Sequence, residues 1–226
     1  MSAAPLDDPG PLALPRLLLI ADGFASGRGA GPLAQTPERV RKIAAEAVAR
    51  GVRWVMLRDH AADDRTFARA AGRLTERVRD IRPDVRIAVN TRVDVARRLR
   101  ADLHVGTRGP SVGDALETAR VVGLSAHTPA EVREAEASGA SYALFSPVYR
   151  TATHPEAEPV GLQVLRDAAA APQEALPVLA LGGLTPTRVA ECLDAGAHGV
   201  AVLSGILDAH RPARAVDAFF TALARS

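Results

Sequence analysis

Eight short apolar runs punctuate this chain, each followed by a longer Ala/Arg/Glu-rich stretch. The runs are Leu17–Ile20, Trp54–Leu57, Ile87–Asn90, Leu103–Val105, Gly123–Ser125, Tyr142–Phe145, Val178–Leu181 and Gly199–Leu203. Short apolar runs bounded by turn residues read as strands buried on both faces. The stretches that follow are Pro37–Arg50, Asp64–Asp80, Val93–Arg100, Val112–Arg120, Pro129–Ser138, Leu162–Ala170, Pro186–Ala195 and Ala213–Ala224. Their apolar residues recur with helical spacing, as at Val40, Ile43, Ala44, Ala47 and Val48, which puts one stripe of each helix against a core. Strict alternation of short strands and helices implies parallel pairing. Eight units of about 26 residues close naturally as a single (β/α)8 TIM barrel, so an α/β fold of that class is expected. A doubly wound open sheet is the runner-up. No Gly-x-Gly-x-x-Gly follows the first run, which weakens a dinucleotide-binding version of it.

The punctuation agrees with this reading. Thr36-Pro37, Thr128-Pro129 and Thr185-Pro186 each place a capping hydroxyl before a proline suited to the first helical turn. Gly51, Gly139 and Gly196 follow their helices as stop signals. Residues 1–15 are Pro-rich and aperiodic and read as a loose tail; residues 16–226 read as one domain. Of the 226 residues 47% are apolar, enough for a substantial core, and the net charge of +2 gives no case for a nucleic-acid or membrane partner. Cys192 is the single cysteine and is expected as a small core residue, so no disulfide framework or Cys-rich metal site is available. Leu12–Ala21 is apolar, but it holds Pro15 and Arg16 and lacks a basic stretch before it. It suits neither a membrane span nor a signal peptide, and a cytoplasmic protein is expected.

In such a barrel, chemistry collects where strands end. Arg58 after the second run can fix an anion with its fork of donors. Asn90 after the third can donate and accept. His127, after Ser125 and the fifth run, can exchange protons near neutral pH. The sixth run leads into Ser146-Pro147-Val148-Tyr149-Arg150-Thr151-Ala152-Thr153-His154, a loop of small hydroxylated residues. Gly182-Gly183 after the seventh run and Ser204-Gly205 after the eighth let backbone amides approach an anion, phosphate above all. His104 is expected to pack within a strand, and His198 and His210 to lie at the surface or in turns. No histidines or carboxylates show metal-ligand spacing, and no Gly-x-Ser-x-Gly elbow is present.

At these strand ends the chain resembles the thiamine phosphate synthase/TenI family over roughly residues 17–208. The resemblance is carried by Val89-Asn90-Thr91-Arg92-Val93-Asp94, by Gly123-Leu124-Ser125-Ala126-His127-Thr128, and by Ser146-Pro147-Val148-Tyr149 with Thr151 and Thr153. Leu181-Gly182-Gly183-Leu184 and Val202-Leu203-Ser204-Gly205-Ile206 complete it. It implies a substrate that is a phosphorylated thiazole, held by backbone groups of Gly183, Leu203 and Ser204 and oriented by Thr151 and Thr153. Arg58, Asn90, Ser125 and His154 complete the expected binding set, and His127 is the expected proton-transfer residue. The family's synthases couple a hydroxymethylpyrimidine diphosphate to the thiazole phosphate with magnesium. Its TenI-type tautomerases aromatise a thiazole phosphate carboxylate without a metal. The family's barrels often pair, so a homodimer is allowed, although no self-complementary patch is legible.

Four departures separate this chain from the synthase pattern. A Gln-x-Arg-x-Lys run reads Met56, Arg58, His60; an Asn-Asp pair reads Asn90-Thr91; an acidic Gln-Glu-Asp run reads Thr107-Arg108-Gly109; and a Thr-x-Thr-Lys loop ends in His154. Both magnesium carboxylates and both diphosphate lysines of the pattern are replaced. The resulting expectation is a TenI-like isomerase with no cofactor. The alternatives are a synthase with a remodelled diphosphate site, in which case magnesium is needed, and a non-catalytic ligand-binding or regulatory member.

Overall fold

The computed structural model describes residues 14–29, 34–106, 109–151, 156–171 and 176–224. The eight strands are β1 (Leu17–Asp22), β2 (Trp54–Arg58), β3 (Arg86–Asn90), β4 (Asp102–Val105), β5 (Val122–Ala126), β6 (Tyr142–Phe145), β7 (Val178–Leu181) and β8 (Gly199–Val202). Each pairs in parallel with the next, and β8 returns to β1, so the sheet is a closed barrel in sequence order. Closure excludes the open-sheet alternative. The helices are α1 (Pro37–Ala49), α2 (Asp64–Ile81), α3 (Val93–Leu99), α4 (Val112–Leu116), α5 (Pro129–Ala137), α6 (Gly161–Ala169), α7 (Val189–Asp194), α8 (Ser204–Leu207) and α9 (Pro212–Ala224).

Local chemistry accounts for most of the boundaries. The Thr36 and Thr128 hydroxyls accept from the Arg39 and Glu131 amides and start α1 and α5, each such cap stabilising its helix by about 1 kcal/mol. Thr185 departs from this expectation: its hydroxyl bonds the Thr187 hydroxyl at 2.9 Å, and a 3-10 turn at Pro186–Arg188 precedes α7. Helix α4 stops at Leu116 rather than running to Arg120, and the Thr118 amide tightens its end by donating to the Ala115 carbonyl three residues back. Of the segment expected as a loose tail, residues 1–13 lie outside the described residues. Leu14 is buried, and its carbonyl accepts from His198 Nε2 at 2.9 Å. Cys192 is fully buried, as expected of a core residue.

Helices cover the barrel's outside and side chains fill its inside, so the strands are apolar on both faces. Trp54, Tyr142, Phe24, Phe67, Phe145 and Phe219 are the largest fully buried side chains, each contributing about 1.5–3 kcal/mol relative to exposure. One row of the barrel has an unusual composition. His104 of β4, Gly123 of β5 and Tyr142 of β6 are lateral neighbours in register. A Cβ on Gly123 would lie 2.0 Å from Tyr142 Cζ. Glycine there lets the Tyr142 ring lean across β5, while the edge of Trp54 meets it at 4.7 Å between ring centroids.

Asp59, just past β2, ties the β1–α1 connection to the β2–α2 connection. Its buried carboxylate accepts from the Ala25, Ser26, Ala61 and Ala62 amides and from the Ser26 hydroxyl, all within 3.2 Å. Burial pushes this carboxyl up, but the Ser26 hydroxyl and the Ser26, Ala25 and Ala62 amides outweigh it and hold it below its ordinary value.

Two outcomes are expected. Gly123→Ala should destabilise the fold by at least about 2 kcal/mol, as overpacking a filled core does; an unchanged urea midpoint would contradict the packing described. Asp59→Asn should cost about 1–3 kcal/mol at pH 7, since its amide group faces donors. A carboxyl whose folded pKa is depressed stabilises the fold above its unfolded value of 3.8 and loses that contribution as pH falls through the folded value. Urea titrations should therefore show the gap between wild type and variant closing only in that acid range.

Candidate functional site

A cavity of about 610 Å³ opens at the C-terminal ends of the strands. Arg58, Asn90, Ser125, His127, Thr151, Gly183, Leu203 and Ser204 all line it, so these residues, singled out from sequence, converge on one space. Thr153 and His154 lie outside the described residues. Apolar side chains from five strands, Ile20, Met56, Leu144, Leu181 and Ala201, line the same cavity. A mostly apolar pocket with a few placed polar groups suits a small heterocycle.

The β7 and β8 ends are built from backbone. Gly182 and Gly183 have φ of +101° and +63°, and a Cβ on Gly183 would fall 2.4 Å from the Arg150 carbonyl. The segment after β6 packs on these glycines: Val148 and Tyr149 amides donate to the Leu181 and Gly182 carbonyls at 2.9 and 3.2 Å. Arg188 lies over the Tyr149 ring at 4.4 Å and donates to the Gly183 carbonyl. Within the described residues, the Gly183 and Ser204 amides donate to no protein acceptor. Such amides beside a cavity can hold an anion.

At the β5 end, His127 Nδ1 lies 2.7 Å from the Ser146 carbonyl. A carbonyl only accepts, so Nδ1 carries the proton, and neutral His127 keeps a lone pair on Nε2. The Glu131 carboxylate accepts from the His127 amide at 2.6 Å, while the Thr128 hydroxyl accepts from the Glu131 amide. This reciprocal cap of α5 fixes the backbone that carries the imidazole.

The β2–β4 rim is built from side chains. Arg58 Nε donates to His60 Nε2 at 3.0 Å and lies 3.6 Å from Asp22. Burial, then the Arg58 charge, lowers the pKa of His60, so His60 is neutral near pH 7. Asn90 is buried at the end of β3. Thr91 next to it has φ +60°, a left-handed conformation that is costly for a branched side chain. Its hydroxyl donates to the Asn90 carbonyl at 2.8 Å.

This rim does not fit magnesium, which takes hard oxygen ligands, usually including carboxylates. Among the described residues no three His, Cys, Asp or Glu side chains are grouped to hold a metal. Asp22 is engaged by Arg58 and Arg28, and Asp59 is saturated by the donors named above. Residues 107–108 and 152–155 include no Asp or Glu. Glu156 borders the cavity, but from the β6–α6 connection rather than from β3 or β4.

From the sequence His104 is expected to pack within a strand. It is indeed buried, at 2% exposure, but its ring lies on the cavity side, with Nε2 3.0 Å from Ser125 Oγ and Nδ1 3.2 Å from the Tyr142 hydroxyl. Burial, then the Arg58 charge, lowers its pKa to about 3. The alternation of β4, with Leu103 and Val105 facing the helices, was the available signal. Glu156 carried none, lying in an irregular loop.

Residues 32–206 match the family described as thiamine monophosphate synthase. A relative from Aquifex aeolicus named "Putative thiamine-phosphate synthase 2" is 32% identical over 87% of this chain and 100% of its own length. The thiamine-phosphate synthase of Haloarcula marismortui is 34% identical over 80% of this chain and 88% of its own. Among solved structures, the thiamine phosphate pyrophosphorylase from Pyrococcus furiosus superposes with a TM-score of 0.77 at 25% identity, covering 93% of this chain and 96% of its own. With this match, these relatives and the convergence of the motif residues on one cavity, the chain belongs to the thiamine monophosphate synthase family.

Proposed function

We propose that this protein binds a phosphorylated thiazole and isomerises its carboxylate form to the aromatic ring by proton transfer, in the manner of the family's TenI-type members. The observation that carries the reading is the division of the cavity. Its β7–β8 end keeps free backbone amides suited to a phosphate, and its β5 end keeps His127 with an available Nε2 lone pair. Its β2–β4 rim holds Thr91, Gly109 and neutral His60 where the synthase pattern has metal carboxylates and a lysine. The phosphate sits on the Gly183, Leu203 and Ser204 backbone, with Thr151 and Thr153 orienting the ring. His127 Nε2 takes a proton from one ring position and returns it at another, so composition is unchanged and no cofactor is consumed. Arg58, with Asn90, holds the negative end of the substrate away from the phosphate, and His154 is the remaining member of the binding set.

The second reading is a thiamine-phosphate synthase that joins a pyrimidine diphosphate to the thiazole phosphate with magnesium. The names of the relatives favour it. The composition of the rim opposes it, because Arg58 is the one cation kept from the synthase pattern there, and a neutral imidazole and a threonine replace neither its lysine nor its metal ligand. The protein's place would be with small-molecule biosynthesis in the cytoplasm, with no nucleic-acid or membrane partner; no helix among the described residues is long and apolar enough to cross a membrane.

Two assays separate the readings. His127→Asn should reduce isomerisation of the thiazole phosphate carboxylate by at least about 100-fold, the scale of a lost general base, while the aromatic thiazole phosphate still binds. Undiminished turnover would remove His127 from the mechanism. Wild-type protein supplied with both synthase substrates and magnesium should form little or no thiamine phosphate; efficient coupling would establish the second reading instead.

A further inference from the structure

Ser125 faces the cavity, and which way its hydroxyl proton points decides what it can bind. That direction is set two side chains away. Tyr142 is fully buried, and among the described residues its hydroxyl has one hydrogen-bond partner, His104 Nδ1 at 3.2 Å. Burial holds its proton on: the pKa of Tyr142 is raised well above the ordinary value. If the phenol oxygen accepted from Nδ1–H, its own proton would be buried without an acceptor. A buried unsatisfied donor costs about 1–3 kcal/mol, whereas an oxygen with spare lone pairs is commonly tolerated. Tyr142 therefore donates to Nδ1. His104 is neutral, so its one proton sits on Nε2. Nε2–H then donates to Ser125 Oγ at 3.0 Å.

We infer that Tyr142, acting through His104, keeps the Ser125 hydroxyl proton free of the relay, so that Ser125 donates to an acceptor atom that the ligand presents at β5. The sheet register makes this possible: His104, Gly123 and Tyr142 share one row, and the missing side chain at Gly123 lets the phenol reach across. Tyr142 touches no ligand and is a positioning residue. The assignment rests on the proposed binding of a thiazole phosphate, whose ring nitrogen and carboxylate oxygens are acceptors of this kind. It adds a preference in selection: an analogue that puts an N–H at the same point leaves the Ser125 proton without that acceptor.

The first test needs no ligand. Nitrogen-15 spectra of the wild-type protein, with the His104 signals identified against His104→Asn, should show Nδ1 unprotonated and Nε2 protonated. A protonated Nδ1 overturns the inference. The second test measures binding of the aromatic thiazole phosphate by calorimetry. Ser125→Ala and Tyr142→Phe should each weaken binding about three- to tenfold, the scale of one hydrogen bond. The double variant should bind no more weakly than Ser125→Ala alone, because both changes remove the same donor. Losses that add would assign Tyr142 a purely structural role and overturn the inference. Failure of the wild-type protein to bind the thiazole phosphate would instead overturn the proposed function, with the spectra still judging the relay.

Discussion

The seam between β8 and β1 is the contact on which the rest of the molecule depends. Seven of the strand pairings join consecutive strands through a helical crossover; this one joins the ends of the barrel. At its entrance a Cβ on Gly199 would fall 2.2 Å from the Arg16 carbonyl, so glycine is needed for the strands to meet. The Arg16 carbonyl accepts from the Val200 amide at 2.8 Å. Its guanidinium reaches the His198 and Leu223 carbonyls, tying the first strand to the last strand and last helix. Without this ladder β1 and β8 would be exposed edges, and the strand ends that surround the cavity would not face one another.

Closure places two differently built ends around one cavity. The β7–β8 end is made of backbone amides, set at β7 by two glycines in left-handed conformations, so side-chain changes elsewhere around it leave this cup in place. The β2–β4 rim is made of side chains, and one substitution changes its charge. Divergence within a family that keeps its phosphorylated substrate is therefore expected at the second end. Thr91 supports this view: its left-handed backbone tolerates Asp or Asn better than a branched residue. The backbone at Thr91 thus has a shape that suits the carboxylate of the synthase pattern better than the residue present.

The strands and helices were legible because each element obeys one period over several residues, and the site residues were legible because a barrel of this class brings strand ends together. What was hidden depends on contacts between distant residues. A histidine between Leu103 and Val105 reads as packing until the register sets Gly123 and Tyr142 beside it. The hydroxyl of Thr185 has the sequence signature of a cap, but a neighbouring hydroxyl, on Thr187, competes for it. Nothing local to His127 indicates that the Ser146 carbonyl, from the next strand's end, will hold its Nδ1 proton.

Among the described residues three imidazoles border the cavity, and their hydrogen bonds separate their roles. His60 has its Nε2 lone pair occupied by Arg58, so it offers the cavity a donor and no base. His104 is committed at both nitrogens and can only relay the polarity of Tyr142. His127 is committed at Nδ1 alone, and among the described residues its Nε2 has no protein partner. A proton acceptor therefore exists at one of the three positions, at the end of β5, between the amides of β7 and β8 and the arginine of β2. The proposed isomerisation, at a ring with its phosphate toward one side and its carboxylate toward the other, would need a base in that middle position. On the proposed reading His127 is that base, while the described part of the rim opposite carries Arg58 and no carboxylate cluster for a metal.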